Sequence, residues 1–347
     1  MNGAAERAPR RTGADAVELV LRAGGPRLAG LLERTEERLV ALAAGHGETL
    51  ARHATATISA GGKRLRPLLV FLAAGATAGP AGEERLVRAA VAVELIHSAS
   101  LVHDDVLDAA ALRRGAPTVV AAAGRTIATA TGDLLFSRAF AELARGGAGA
   151  LADVRALSAA ASALAAGELL QRTDAWDPAI SLERYLHRCE LKTGSLFEAA
   201  CRLGALAGDG GETAADDEEA TPAALARFGR RIGLAFQLLD DVLDVAGPPE
   251  RTGKARGTDL LDGTVTLPLI LARERDPALA RLDLRALRSP EEAEELCERI
   301  AATGALASAR ARALDVVERA RAGLPTLPPE QRGALELVAE GVVERYA

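Results

Sequence analysis

The sequence predicts an all-α protein organised as a single domain. Three observations carry that expectation. Hydrophobic residues make up 49% of the chain and aromatic residues only 3%, with Ala and Leu dominant, and both lose little on entering a helix. Apolar residues recur at helical spacing over long segments, whereas strand-like alternation is scarce. Gly and Pro rarely interrupt those segments, and nothing reads as an interdomain linker. At 347 residues, one large domain can bury a sizeable core.

Taken in order, residues 1–14 contain arginines with no apolar run behind them, so they read as a short disordered start and not as a secretory signal. A transit peptide is the weaker alternative. The domain then spans 15–347. Helices are expected at 15–23, 27–45, 48–58, 64–77, 83–107, 117–122, 125–145 and 150–172. They continue at 181–207, 222–246, 264–274, 290–302, 305–322 and 329–345. The segment Gly208–Pro222 is acidic and Gly-rich, and reads as a solvated loop between helices. The longest charge-free run, Pro67 to Gly82, is about 16 residues and is broken by Gly75, Gly79 and Pro80. That falls short of the ~20 a membrane span needs.

A formal net charge of -6 argues against a general nucleic-acid binder. Cys189, Cys201 and Cys297 fit neither a zinc site nor a disulfide framework, so a reduced, cytoplasmic chain is the plain reading.

One short element occurs twice. Asp104-Asp105-Val106-Leu107-Asp108 and Asp240-Asp241-Val242-Leu243-Asp244 are identical, and each follows an apolar helical run, VAVELIHSASLV and IGLAFQLL. On a helix Asp104 and Asp108 share one face, about 6 Å apart. Carboxylates so close on an apolar helix call for a compensating cation. Oxygen-only donors suit Mg²⁺, which shares its sphere with substrate phosphates. A single such motif is as well explained by an exposed acidic turn. Two of them suggest a clamp that holds metal ions across a cavity.

Cations gather near these motifs: Gly61-Gly62-Lys63-Arg64-Leu65-Arg66-Pro67, Arg113-Arg114-Gly115, Lys192-Thr193-Gly194 and Gly253-Lys254. Each alone reads as solvated surface charge. Together they suit two sites for polyanions, since Arg grips phosphate bidentately and Lys acts as a point charge. Neither a Walker A loop nor a GxGxxG turn is present, which disfavours nucleotides. His97 lies two turns before Asp104 on the same face. A lone His there is more often a core residue than a ligand.

GGKRLRP, ELIHSASLVHDDVLDAAALRRG, GELLQ, LKTGSLFEAA, FQLLDDVLD and GTDLLDGTVTLPL occur in an order and at distances that resemble the trans-isoprenyl diphosphate synthases, most of all bacterial medium- and long-chain polyprenyl diphosphate synthases. The resemblance runs from about residue 55 to 275. It implies the all-α isoprenoid synthase fold, roughly a dozen helices around a central cavity, and a homodimer. It implies a prenyltransferase that condenses isopentenyl diphosphate head to tail with an allylic diphosphate, using up to three Mg²⁺ ions. Asp104, Asp108 and Asp240 would ligate metal, with Asp105, Asp241 and Asp244 close by. Arg113, Lys192, Thr193, Gln237 and Lys254 would hold the allylic diphosphate. Lys63, Arg66, His97 and Arg114 would hold isopentenyl diphosphate. Lys192, Thr193 and Gln237 would also face the allylic cation, and the departed pyrophosphate would take the proton.

There is one departure. Many members carry Gly-Lys before the TLP element, where this chain has Gly263-Thr264, so one diphosphate contact is missing from the pattern. Two other readings compete. A terpene cyclase would carry a different second metal motif and no GGKRLRP, and a non-catalytic partner subunit would have lost acidic residues. The small Ala99 and Ser100, followed by Val93 and Ile96, suggest a product of ~C25–C40 if one helical turn measures about one isoprene unit.

Overall fold

The helical periodicity of the chain is realised almost segment by segment in the computed structural model, which describes residues 13–45, 47–75, 79–208, 221–247 and 255–344. The first helix, α1 (Gly13–Ala43), is kinked at Gly25, whose φ of 64° precedes Pro26. Proline removes a backbone donor, and the kink falls in the expected gap between 23 and 27. Next come α2 (Glu48–Ser59), α3 (Leu65–Ala74) and α4 (Gly79–Leu107). A minimal hairpin follows, β1 (Leu112–Arg113) against β2 (Ala116–Pro117), antiparallel, with Arg113 opposite Ala116. Arg114 and Gly115 turn it with φ values of 53° and 78°, the paired positive angles of a tight hairpin turn.

The helices continue as α5 (Val119–Ala144), bent at Gly124, and α6 (Ala150–Thr173). The stretch expected as one helix over 181–207 is continuous but not uniform. It runs α7 (Leu182–Cys189), a π-helical turn (Glu190–Gly194) and α8 (Ser195–Ala207). Then come α9 (Thr221–Ala246), α10 (Thr258–Leu261), α11 (Leu267–Arg273), α12 (Pro277–Ala280), α13 (Pro290–Ala302), α14 (Ala305–Ala322) and α15 (Pro329–Glu344). The hairpin, α10 and α12 are too short for periodicity to reveal. Local chemistry makes α12, where the Asp276 side chain accepts from the amide of Ala278 ahead of Pro277.

The inner helices are α4, α8 and α9. α4 packs against α5 and α3, α8 against α9 and α3, and α9 against α14. The terminal helix α15 returns to α1, and Gln331 donates to the Leu72 and Ala73 carbonyls at 2.9 and 3.1 Å, capping α3. All three cysteines are buried and unbridged. By length and composition alone, α4 and α6 are long and apolar enough to cross a membrane, which the longest charge-free run does not reveal. The charge-free run misses them because each carries a few charges. α4 is a core helix, with 78% of its apolar window buried, whereas for α6 the share is 22%.

Candidate active site

α4 and α9 carry the two DDVLD elements to the wall of one cavity of about 300 Å³. From α4 come His97, Ser100, Leu101, Asp104 and Asp108, a spacing of threes and fours that keeps them on one face. From α9 come Phe236, Gln237, Asp240 and Asp241. Arg66 reaches in from α3, and Leu164, Gln171 and Arg172 from α6. Arg188, Cys189, Lys192 and Thr193 line it from α7 and the π turn, and Asp259, Asp262 and Thr264 from the chain after α9. A π turn widens the helix locally and is frequent at functional sites.

The acidic side is held in tension. Burial pushes Asp104 up to about 6, with Lys192 pulling it down and Glu168 and Asp108 raising it further. Arg172 donates to Asp108 at 2.5 Å. The Lys192 ammonium pairs with Glu168 and donates to Gln171 Oε1 at 3.3 Å. Burial alone would lower the pKa of Lys192, yet Asp104 and Glu168 hold it above its ordinary value. On α9, burial and the nearby Asp259 push Asp241 up to about 7. Tyr185 donates to Asp241 at 2.5 Å and the Gln237 amide at 2.7 Å. Thr193 donates to Gln237 Oε1 at 2.7 Å, so the amide is oriented from both ends.

The other flank is cationic. Burial drives His97 well below its usual range, and Arg66, Arg114, Arg113 and Arg64 add to the effect, so the imidazole is neutral near pH 7. Arg66 lies over the Phe197 ring, 4.6 Å from its centroid, and burial lowers its pKa to about 10. Arg64 is bound to Glu36 and Glu94. The Arg114 guanidinium stands beside Gly62, so the GGKR loop and the Arg pair meet.

Of the residues expected from sequence, Arg66, His97, Asp104, Asp108, Lys192, Thr193, Gln237 and Asp240 share the cavity wall. Lys63, Arg113 and Arg114 are not among its lining side chains. Arg113 donates to the buried Asp105 at 2.9 Å, which draws Asp105 towards the hairpin. Asp244 accepts from the Asp259 amide at 3.4 Å and so supports the following loop. Lys254 lies outside the described residues, as does most of the Gly208–Pro222 segment. Sequence reading missed Glu168, Gln171, Arg172, Tyr185, Arg188 and Asp259. The first three carry a signal in hindsight, because polar residues at i, i+3 and i+4 interrupt an apolar helix on one face.

Among the described residues, no three donor side chains converge into a ready-made metal cage. Oxygen donors from two helices instead line the same cavity. That donor set fits a hard cation bound by few carboxylates and completed by substrate oxygens.

The fold is that of the all-α isoprenoid synthases. A polyprenyl synthase from Caulobacter crescentus, solved in complex with calcium and isoprenyl diphosphate, superposes with a TM-score of 0.83 at 34% identity, over 98% of this chain and 100% of that one. Component 2 of the heptaprenyl diphosphate synthase of Geobacillus stearothermophilus is 41% identical over 70% of this chain and 72% of its own length. A short chain isoprenyl diphosphate synthase of Methanothermobacter thermautotrophicus is 37% identical over 86% of this chain and 91% of its own. The Polyprenyl synthetase family model matches residues 47–303. The chain belongs to the polyprenyl synthetase family and is a prenyltransferase of isoprenoid biosynthesis.

Proposed function

We propose that this prenyltransferase adds isopentenyl diphosphate head to tail to an allylic diphosphate and depends on Mg²⁺. The observation that carries the reading is the meeting of both DDVLD elements, Lys192, Arg66 and His97 on one cavity wall. Asp104, Asp108 and Asp240 would hold the metal. When bound, Mg²⁺ neutralises charge on the allylic diphosphate and eases its departure. Lys192 and the cationic flank do the same from the protein side. The Thr193 hydroxyl donates to Gln237, which leaves its oxygen lone pairs free to face a developing cation. Neutral His97 can donate one N–H to the second diphosphate while Arg66 supplies charge. Leu101, Leu164 and Phe236 give the cavity apolar walls that keep water from quenching the cation.

The test is incubation with labelled isopentenyl diphosphate, Mg²⁺ and C5, C10, C15 or C20 primers, followed by product chromatography. Elongation abolished by a chelator is expected. Turnover by the Asp104→Ala, Asp240→Ala double variant would contradict the metal assignment.

Product length of ~C25–C40 stays a proposal of the helical ruler. Relatives with heptaprenyl and short-chain products resemble this chain to similar degrees, so cavity shape and not overall similarity must decide it. Ser100 lines the cavity, whereas Ala99 is fully buried in the core. A homodimer is supported by the outer face of α6. Ser158, Ser162, Ala165 and Ala166 are exposed there between Leu151 and Leu169, which are 63% and 70% exposed. Small residues let a second copy approach closely, and burial of the two leucines would favour it. Three buried free thiols support a cytoplasmic setting.

A further inference from the structure

Arg188 is a charged residue of the cavity to which the reading above gives no task. It is 3% exposed, yet it lines the cavity together with Lys192, Thr264 and Thr266. Its Nη2 donates to the Val265 carbonyl at 2.7 Å, and the guanidinium lies over the Tyr185 ring, 5.3 Å from the centroid. Nη1 is shut off from solvent and has no hydrogen-bond partner. No carboxylate among the described residues forms an ion pair with it.

Such a group is expensive. A buried cation without a counter-charge is destabilising. The Val265 carbonyl and the Tyr185 ring fix the fork but offer no full negative charge. A charge so placed, with one donor unsatisfied, calls for an anion that arrives from outside the protein.

We propose that Arg188 binds the diphosphate of the allylic substrate and brings to this corner the positive charge that Thr264 does not. The inference rests on the diphosphate reading above. Two features select the allylic diphosphate over isopentenyl diphosphate. Arg188 sits about one turn before Lys192, on the wall shared with α9, whereas Arg66 and His97 belong to α3 and α4. Its anchor, Val265, directly follows Thr264, where the sequence pattern leads one to expect a lysine. The guanidinium therefore stands against the stretch of backbone from which that lysine would reach.

Arg188→Met keeps an unbranched apolar stem and removes the charge, and Arg188→Lys keeps the charge. Each is compared with the wild type by calorimetric titration of inorganic pyrophosphate in the presence of Mg²⁺, by elongation kinetics with each substrate varied separately, and by melting without ligand. For Arg188→Met, pyrophosphate affinity and kcat/KM for the primer are expected to fall roughly 10- to 100-fold, while KM for isopentenyl diphosphate moves less than about threefold. The ligand-free melting temperature is expected to hold or rise, because an uncompensated buried charge has gone. Adding Thr264→Lys in the Arg188→Met background is expected to restore about tenfold or more, since the charge returns to the same corner. Arg188→Lys is expected to fall between wild type and Arg188→Met.

A variant that melts lower or fails to fold would make Arg188 a structural residue and overturn the inference. So would wild-type pyrophosphate affinity in Arg188→Met, or a loss that Thr264→Lys leaves untouched. A wild-type protein that neither elongates nor binds pyrophosphate would overturn the diphosphate reading itself.

Discussion

Asp104 meets two opposed demands. Its folded-state pKa is about 6, against an ordinary 3.8, chiefly because it is buried. Below about pH 4 both the folded and the unfolded chain carry its proton. As pH rises from there to about 6, the unfolded chain loses the proton while the folded chain keeps it. Stability from this group therefore falls across that window and stays reduced above it, by a cost of order 2–3 kcal/mol in metal-free protein. Asp104→Asn should raise the melting temperature of chelator-treated protein at pH 7 by a few degrees and flatten its slope between about pH 4 and 6. The same change should cut elongation roughly a thousandfold, measured by incorporation of labelled substrate. A lower metal-free melting temperature would contradict the assigned burial cost. On the same helix, Ser100→Phe should shorten the product while Ala99→Phe mainly destabilises the core, and chromatography with calorimetry separates the two. The identity of the acidic residues is legible in sequence because an i, i+4 acidic pair repeated after two apolar runs is rare without a ligand to hold. The direction of Ser100 and Ala99 is less legible, since a turn of helix offers several side chains to a cavity whose bearing is not encoded locally.

At the scale of elements, the decisive contact is α6 against the π turn. A Cβ placed on Gly167 would lie 2.5 Å from the Lys192 amide nitrogen and 2.9 Å from its Cα. Those are backbone atoms and cannot rotate aside. The approach lets Glu168 and Gln171 hold the Lys192 ammonium. Gly167→Ala should cost about 1–3 kcal/mol and lower kcat roughly tenfold or more, as Lys192 shifts. Unchanged kcat with intact folding would show that Lys192 does not need this support. Helix boundaries such as 290–302 and 305–322 are legible because Ser289 and Gly304 punctuate long periodic runs. The π turn is not, because Glu190–Gly194 reads as ordinary helix and only its packing against α6 and α9 marks it out.

At the scale of the molecule, the outward face of α6 exposes Leu151 and Leu169, at 63% and 70%. Sedimentation of the wild type is expected to show about twice the 35.9 kDa chain mass. Leu151→Glu combined with Leu169→Glu should shift it towards the monomer, because two charges would be buried without partners. A dimer that persists in that variant would place the interface elsewhere. The same face explains why a search for charge-free runs underestimates the apolar helices. A core helix tolerates a few charges where they are paired, and α4 does so by pairing the buried Glu94 with Arg64 at 2.7 Å.

By itself the sequence determined the all-α class, most helix limits, the two acidic motifs and the cationic segments. All of these follow from local spacing, which a helix converts directly into a shared face. The tertiary structure decided which of those charges share one cavity. It drew Arg113 to Asp105, gave Lys192 its partners on α6, and left Arg188 buried with an unsatisfied nitrogen beside Thr264. The physical reason is that a charge's effect depends on what stands within a few ångströms of it, and those neighbours come from helices far apart in the chain.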